Sequence, residues 1–251
     1  MGFLKERCNR CSPEGGFPLT GSPLPMSILN VWIEQDRAVV AVDTGAMSAV
    51  DGSVSRCVKL LPIMHQSAVL AVRGTNLFFS MLFMRLADLP GDFDALVCAI
   101  ERLSMDTLAT MRELYSGQLE RPEIIEGFEV VLVGWSPAKG AIYGVSCARS
   151  PESGEVVIDE FPMSYVAPWD TSMWSVPDPK TPAEMVAVSR IQANLLATKA
   201  KDTSAADSDL VIAKVHRHRV TLELRPRFCD VGTLLSVYPE SHTRAKNEKA
   251  G

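Results

Sequence analysis

Nowhere does this chain carry an apolar run long enough to cross a membrane. Its longest apolar region, 68–86, is broken by Arg73, Asn76 and Arg85, whereas a spanning helix needs about 20 consecutive apolar residues. A basic excess is lacking too. The 25 Lys and Arg are outnumbered by 30 Asp and Glu, for a net charge of −5, and nucleic acid or an anionic bilayer would call for a basic surface. Gly-rich phosphate loops are absent. Histidine is scarce, and His65, His216, His218 and His242 show no metal-ligand spacing. Asp207-Ser208-Asp209 reads as a turn, not a calcium loop. Neither a metal nor a cofactor is expected, nor a nucleic-acid or membrane partner.

Cysteine use is equally sparse. Cys8, Cys11, Cys57, Cys98, Cys147 and Cys229 are spread over 251 residues, with no dense framework, so a reducing compartment, the cytoplasm, is expected. Cys8-x-x-Cys11 has the spacing of half a zinc site or of a redox pair. No second pair stands nearby, and the preferred reading is two cysteines in a flexible leader. Residues 1–25 hold four glycines and four prolines, little periodicity and no apolar stretch of the secretory kind. The expected organisation is a leader over 1–25, one domain over 26–240 and a charged, frayed tail over 241–251.

What is present is a globular pattern, 47% hydrophobic and 22% charged. Ser27 to Glu34 reads as a strand from its β-branched and aromatic content. Gln35-Asp36 turns it. Arg37 to Asp43 returns as a continuous apolar run, so burial on both faces is expected. After a loop at 44–53, strands are expected over 55–63 and 67–72, making the start a β-meander. Gly74-Thr75 opens a first helix through Leu86, and a second runs from Asp92 to Tyr115 with apolar residues near the helical period. Strands return at 128–135, 140–147 and 155–159. Residues 160–180, with Trp169 and Trp174, read as a structured loop. Thr181-Pro-Ala-Glu184 is a capping box opening a helix to about Lys199. Strands 210–215 and 219–224 close the pattern as a hairpin, whose His216-Arg-His-Arg219 reads as a solvated edge. Strands and helices come in blocks rather than in alternation, which predicts an α+β fold of antiparallel sheets with helix layers.

One spacing carries chemistry. Ser27 lies sixteen residues before Asp43 and thirty-two before Lys59, in S-I-L-N-V-W-I-E-Q-D-R-A-V-V-A-V-D-T-G followed by S-V-S-R-C-V-K-L-L-P-I. Over 26–116 this resembles proteasome β-subunits and the bacterial HslV peptidase of the N-terminal-nucleophile hydrolase class. There a nucleophilic threonine begins the mature chain, a strand-turn-strand ends in Asp, and a third strand carries Lys. The strand 67–74 ends where that family has its oxyanion glycine, and a helix follows in both.

The resemblance implies a four-layer αββα sandwich of two antiparallel sheets. It also implies a peptidase or amide hydrolase that uses no cofactor and assembles into homo-oligomeric rings, with a possible ATPase partner. Ser27 would be nucleophile and, through its α-amine, base; Lys59 the electrostatic activator; Asp43 its orienting partner; Arg73 or Gly74 the oxyanion N–H donor. A hydroxyl is a poor nucleophile at its free pKa, and an amine of pKa near ~8 suits the task of base. The chain departs from the family in having Ser for Thr, Met26 for the usual preceding glycine, and Arg73 where the gap-free alignment expects glycine. Other readings stay open: Ser27 as a plain strand start, Asp43–Lys59 as a structural ion pair, Arg73 as a packing or interface residue. At the level of function they are a catalytically inactive scaffolding subunit or a small-molecule amidase.

Overall fold

The computed structural model of the chain describes residues 27–47, 53–116, 123–168, 178–200 and 203–226. The expectations for Cys8, Cys11, Met26, Trp169, Trp174 and the tail from Ser241 lie outside them.

The first sheet is built from β1 (Leu29–Ile33), β2 (Arg37–Asp43), β10 (Ser164–Ala167), β11 (Leu210–His216) and β12 (Arg219–Arg225), in the order β10-β1-β2-β11-β12. The second holds β5 (Leu60–Ile63), β6 (Ala68–Arg73), β7 (Phe128–Ser136), β8 (Ala141–Arg149) and β9 (Val156–Phe161), in sequence order. All pairings are antiparallel. Helices α1 (Asn76–Ala87), α2 (Phe93–Leu114) and the single turn α3 (Glu123–Glu126) fall between β6 and β7, and α4 (Pro182–Leu195) between β10 and β11.

The strand period of two sorts the core. On β7, Phe128, Val130 and Leu132 join a cluster with Phe78, Phe79 and Leu82 of α1 and Leu96, Ile100 and Met111 of α2. The alternate residues Val131 and Val133 face the other way, into a cluster shared with Leu29, Val31 and Ile33 of β1 and Val40 and Val42 of β2. The opposite face of β1 and β2, with Ile28, Trp32, Val39 and Ala41, packs with Met185 and Ala193 of α4. Both faces of each central strand are thus covered, which is why β2 and β6 read as unbroken apolar runs.

Local signals place the helices. Thr75 Oγ1 accepts from Phe78 N at 3.4 Å, and Asp92 Oδ1 from Asp94 N at 3.0 Å and Ala95 N at 3.3 Å, so both caps satisfy first-turn N–H groups. The capping box closes in both directions: Glu184 N donates to Thr181 Oγ1 at 3.2 Å and Thr181 N to Glu184 Oε2 at 2.9 Å.

Four expectations need correction. The loop at 44–53 contains β3 (Gly45–Met47), which pairs with β4 (Val54–Arg56) as a separate two-stranded ribbon. The single strand expected over 55–63 is therefore split between β4 and β5. All three residues of Val54–Arg56 are exposed, so this strand buries no apolar face and does not continue into the sheet where Leu60 is buried. The opening is not one meander either, because β1–β2 and β5–β6 belong to different sheets. Last, the 160–180 region contributes β10, which pairs with β1 from Leu29↔Ala167 to Trp32↔Ser164.

Candidate active site

The start of β1, the end of β2, the approach to β5, the end of β6 and the start of β7 meet at one end of the two sheets. Ser27 lies just before β1 and by alternation shares the inner face of Leu29 and Val31. Asp43 closes β2. Lys59 sits one residue before β5, and its carbonyl accepts from Val72 N of β6 at 3.1 Å.

Lys59 is the hub. Its Nζ donates to Asp43 Oδ2 at 2.8 Å and to Ser27 Oγ at 2.9 Å. Asp43 and Lys59 are 1% and 9% exposed, so this ion pair is screened little by solvent. Asp43 Oδ1 accepts from Ile28 N at 2.6 Å, so both carboxylate oxygens are used. An ammonium is a donor only. Ser27 Oγ therefore accepts from Lys59, and its own hydrogen is left to point elsewhere. Cys57, two residues before Lys59, has its thiol pKa raised, chiefly by burial; Lys59 pulls the other way and Asp43 adds to the rise.

Arg73 enters by its side chain. Nε donates to the Ser27 carbonyl oxygen at 2.8 Å, and Nη1 pairs with Glu129 Oε2. Both side chains are buried, at 4% and 3% exposure. Glu129 stands directly opposite Arg73 in the β6–β7 register, and both share the parity of the residues that face the first sheet. Gly74 follows with φ of 155°, a setting that side-chain-bearing residues rarely adopt. Of the residues that sequence reasoning singled out, Ser27, Asp43, Lys59 and Arg73 meet here, with Gly74 adjoining Arg73 in the chain. Glu129 escaped it. The available signal was a lone carboxylate in the apolar run Phe128-Glu-Val-Val-Leu132, one strand away from the lone Arg73.

A wall beside the site comes from the segment before β11. Thr44 N donates to Asp209 O at 2.9 Å and Asp209 N to Thr44 Oγ1 at 3.0 Å. Arg56 pairs with Asp209 at 2.8 Å. A Cβ on Gly45 would fall 2.1 Å from Ser204 O, so only glycine fits there. On the outer face, the Asn30 and Gln192 amides exchange hydrogen bonds at 2.7 and 2.9 Å, and Asn30 Nδ2 also donates to Ser189 Oγ at 3.1 Å. That buried network ties β1, and with it Ser27, to α4.

His65, His216 and His218 join no cluster of three metal-ligating side chains among the described residues. No helix among them is long and apolar enough to cross a membrane.

No family model matches the chain, and no curated protein matches it. Among solved structures it is similar to Anbu from Hyphomicrobium sp. strain MC1. A Gly-1 mutant of that protein superposes with a TM-score of 0.52 at 14% identity, covering 82% of this chain and 93% of that one. A second Anbu crystal form gives 0.53 at 13% identity, covering 82% and 91%. At such identities the likeness is one of fold. It corrects the assignment drawn from 26–116: membership of the proteasome β-subunit and HslV family is not upheld by any family model or curated relative, and the structural similarity lies with Anbu. The fold is α+β, with antiparallel sheets, of the kind found in Anbu.

Proposed function

We propose that the chain is an N-terminal-nucleophile amide hydrolase in which Ser27, once it begins the chain, attacks a peptide or amide carbonyl. The observation that carries this is the buried Lys59 ammonium held between Asp43 Oδ2 and Ser27 Oγ. The Anbu-like fold is consistent with it. The three core clusters favour a helix-sheet-sheet-helix stacking, the four-layer arrangement such hydrolases use.

In the proposed reaction the Ser27 α-amine takes the hydroxyl proton as Oγ bonds to the carbonyl carbon. Lys59 lowers the cost of the developing alkoxide. Backbone N–H groups at Arg73 or Gly74 hold the oxyanion. The Ser27 α-ammonium so formed then protonates the leaving amine as the C–N bond breaks, leaving an ester on Ser27 and a free α-amine. Water, deprotonated by the same amine, hydrolyses that ester. No cofactor enters. Self-assembly into rings belongs to the proposal, with the exposed Met84 and Leu77 of α1 as contact candidates. So does a reducing compartment, where Cys57, Cys98 and Cys147 would remain the free thiols they are.

The test is turnover of p-nitrophenyl acetate and of peptide anilides by protein that begins at Ser27. Burst release from the wild type and none from Ser27→Ala is the expected result. Equal release by the two would remove the enzyme reading and leave a scaffolding role.

A further inference from the structure

The peptide unit joining Ser27 to Ile28 is gripped on both edges. Its carbonyl accepts from Arg73 Nε at 2.8 Å, and its N–H donates to Asp43 Oδ1 at 2.6 Å. A trans peptide is planar with C=O and N–H pointing opposite ways. Two charged partners on opposite edges therefore fix the plane and, through it, rotation about the Cα–C bond of Ser27. That rotation decides where the amine and Cβ of Ser27 point.

We propose that Arg73 and Glu129 are positioning residues: a buried clamp that holds Ser27 in its reactive orientation when no residue precedes it. The inference rests on the reading of Ser27 as nucleophile. A chain-terminal residue lacks a preceding peptide bond to restrain it and tends to fray. Among the described residues the hydroxyl is reached by Lys59 alone, and a single hydrogen bond leaves the amine free to turn. The clamp removes that freedom. Arginine suits the task because its rigid fork sends Nε and Nη1 to two fixed targets, which a lysine ammonium does not do.

The energetics argue against a purely structural pair. Arg73 and Glu129 sit at 4% and 3% exposure beside an apolar seam, and Glu129 Oε1 finds no partner among the described residues. Buried pairs of this kind are commonly no more stable than apolar residues of similar volume. Stability alone therefore does not account for them, whereas the contact with the Ser27 carbonyl does.

The experiment uses protein beginning at Ser27 and two variants, Arg73→Leu/Glu129→Leu and Arg73→Lys. Readouts are urea unfolding, hydrogen exchange of the Ile28 amide, and saturation kinetics with p-nitrophenyl acetate. The double variant is expected to unfold at the wild-type midpoint or above. Its Ile28 amide should exchange faster, and its acylation kcat should fall by about 10- to 100-fold with KM unchanged, as small misplacements of a reacting group do. Arg73→Lys should keep the charge without restoring either readout. Wild-type exchange at Ile28, an unchanged kcat in the double variant, or rescue by lysine would each overturn the clamp. If the double variant does not fold, Arg73→Lys decides alone. If wild-type protein shows no Ser27-dependent acylation, the hydrolase reading fails, and Ile28 exchange still judges the clamp.

Discussion

The two ends of the sheets use the same kinds of side chain in opposite ways. At the Ser27 end, Asp43, Lys59, Arg73 and Glu129 are all at least nine-tenths buried and tied to one another or to Ser27. At the far end, Arg37 meets Glu34 and Lys139 meets Glu160 out in solvent. There the β5–β6, β7–β8 and β11–β12 turns surround an open cavity of about 600 Å³ where Arg217 lies over the Trp135 ring. Charge left in water costs little and contributes little. Charge withdrawn from water is costly unless fully partnered. A chain that retains four such groups at one end has a use for them beyond stability, and Ser27 is what they surround.

The contrast can be broken first at Lys59. Lys59→Ala leaves Asp43 buried with one oxygen unpaired, and removing one member of such a pair typically costs about 3–5 kcal/mol. Urea unfolding should show a loss of that order, and acylation of Ser27 should disappear with it. Wild-type stability in this variant would mean that Asp43 is solvated in practice.

The wall of the site gives the next effect. In Gly45→Ala the new Cβ would meet the Ser204 carbonyl, a backbone atom that cannot rotate aside. Overpacking of this sort costs about 1–3 kcal/mol, to be read from the shift in the unfolding midpoint.

A smaller effect appears in alkali, away from the site. Burial pushes the Cys147 thiol up to about 11 from its ordinary 9.0. The thiol is neutral in both states below pH 9, so the folded state carries no penalty there. Between 9 and 11 the unfolded chain ionises and the folded one does not, so stability falls as pH rises, by on the order of 2 kcal/mol at pH 11. Cys147→Ala should flatten the stability profile over that window; an unchanged slope would show that the thiol is accessible.

The smallest effect is at the far end. Arg37 holds the Glu34 carboxyl below its ordinary pKa by a hydrogen bond across an exposed pair. Arg37→Ala should leave both unfolding and acylation at the wild-type level, in low salt and in high. A loss of acylation there would erase the distinction between the ends.

Much of this was legible in the chain because the signals were local. Thr181 caps its helix as the capping box predicted, and Thr75 and Asp92 cap the helices expected to open at those residues. The spacing of Ser27 and Asp43 follows from two strands and a turn of ordinary length, whereas Lys59 arrives only after β3 and β4. What escaped was non-local or too short to carry a period. β3, β4 and β10 have three or four residues each and are strands only because a partner pairs with them. The role of Arg73 depended on Glu129, 56 positions away in sequence and opposite in register. An oxyanion N–H was the role expected at position 73. That is a backbone role; the Arg73 side chain reaches in addition between the sheets to the Ser27 carbonyl, a contact that no single strand pattern encodes.

The central claim is that Ser27 reacts only when its nitrogen is a free amine, since an acylated nitrogen cannot serve as base. Two proteins decide it, one retaining residues 1–26 and one beginning at Ser27, each treated with p-nitrophenyl acetate and mapped by peptide mass spectrometry. The expected result is acetylation at the Ser27 hydroxyl in the second protein alone, rising with pH through the amine pKa near ~8. Equal acetylation of Ser27 in the protein that retains residues 1–26 would contradict the mechanism.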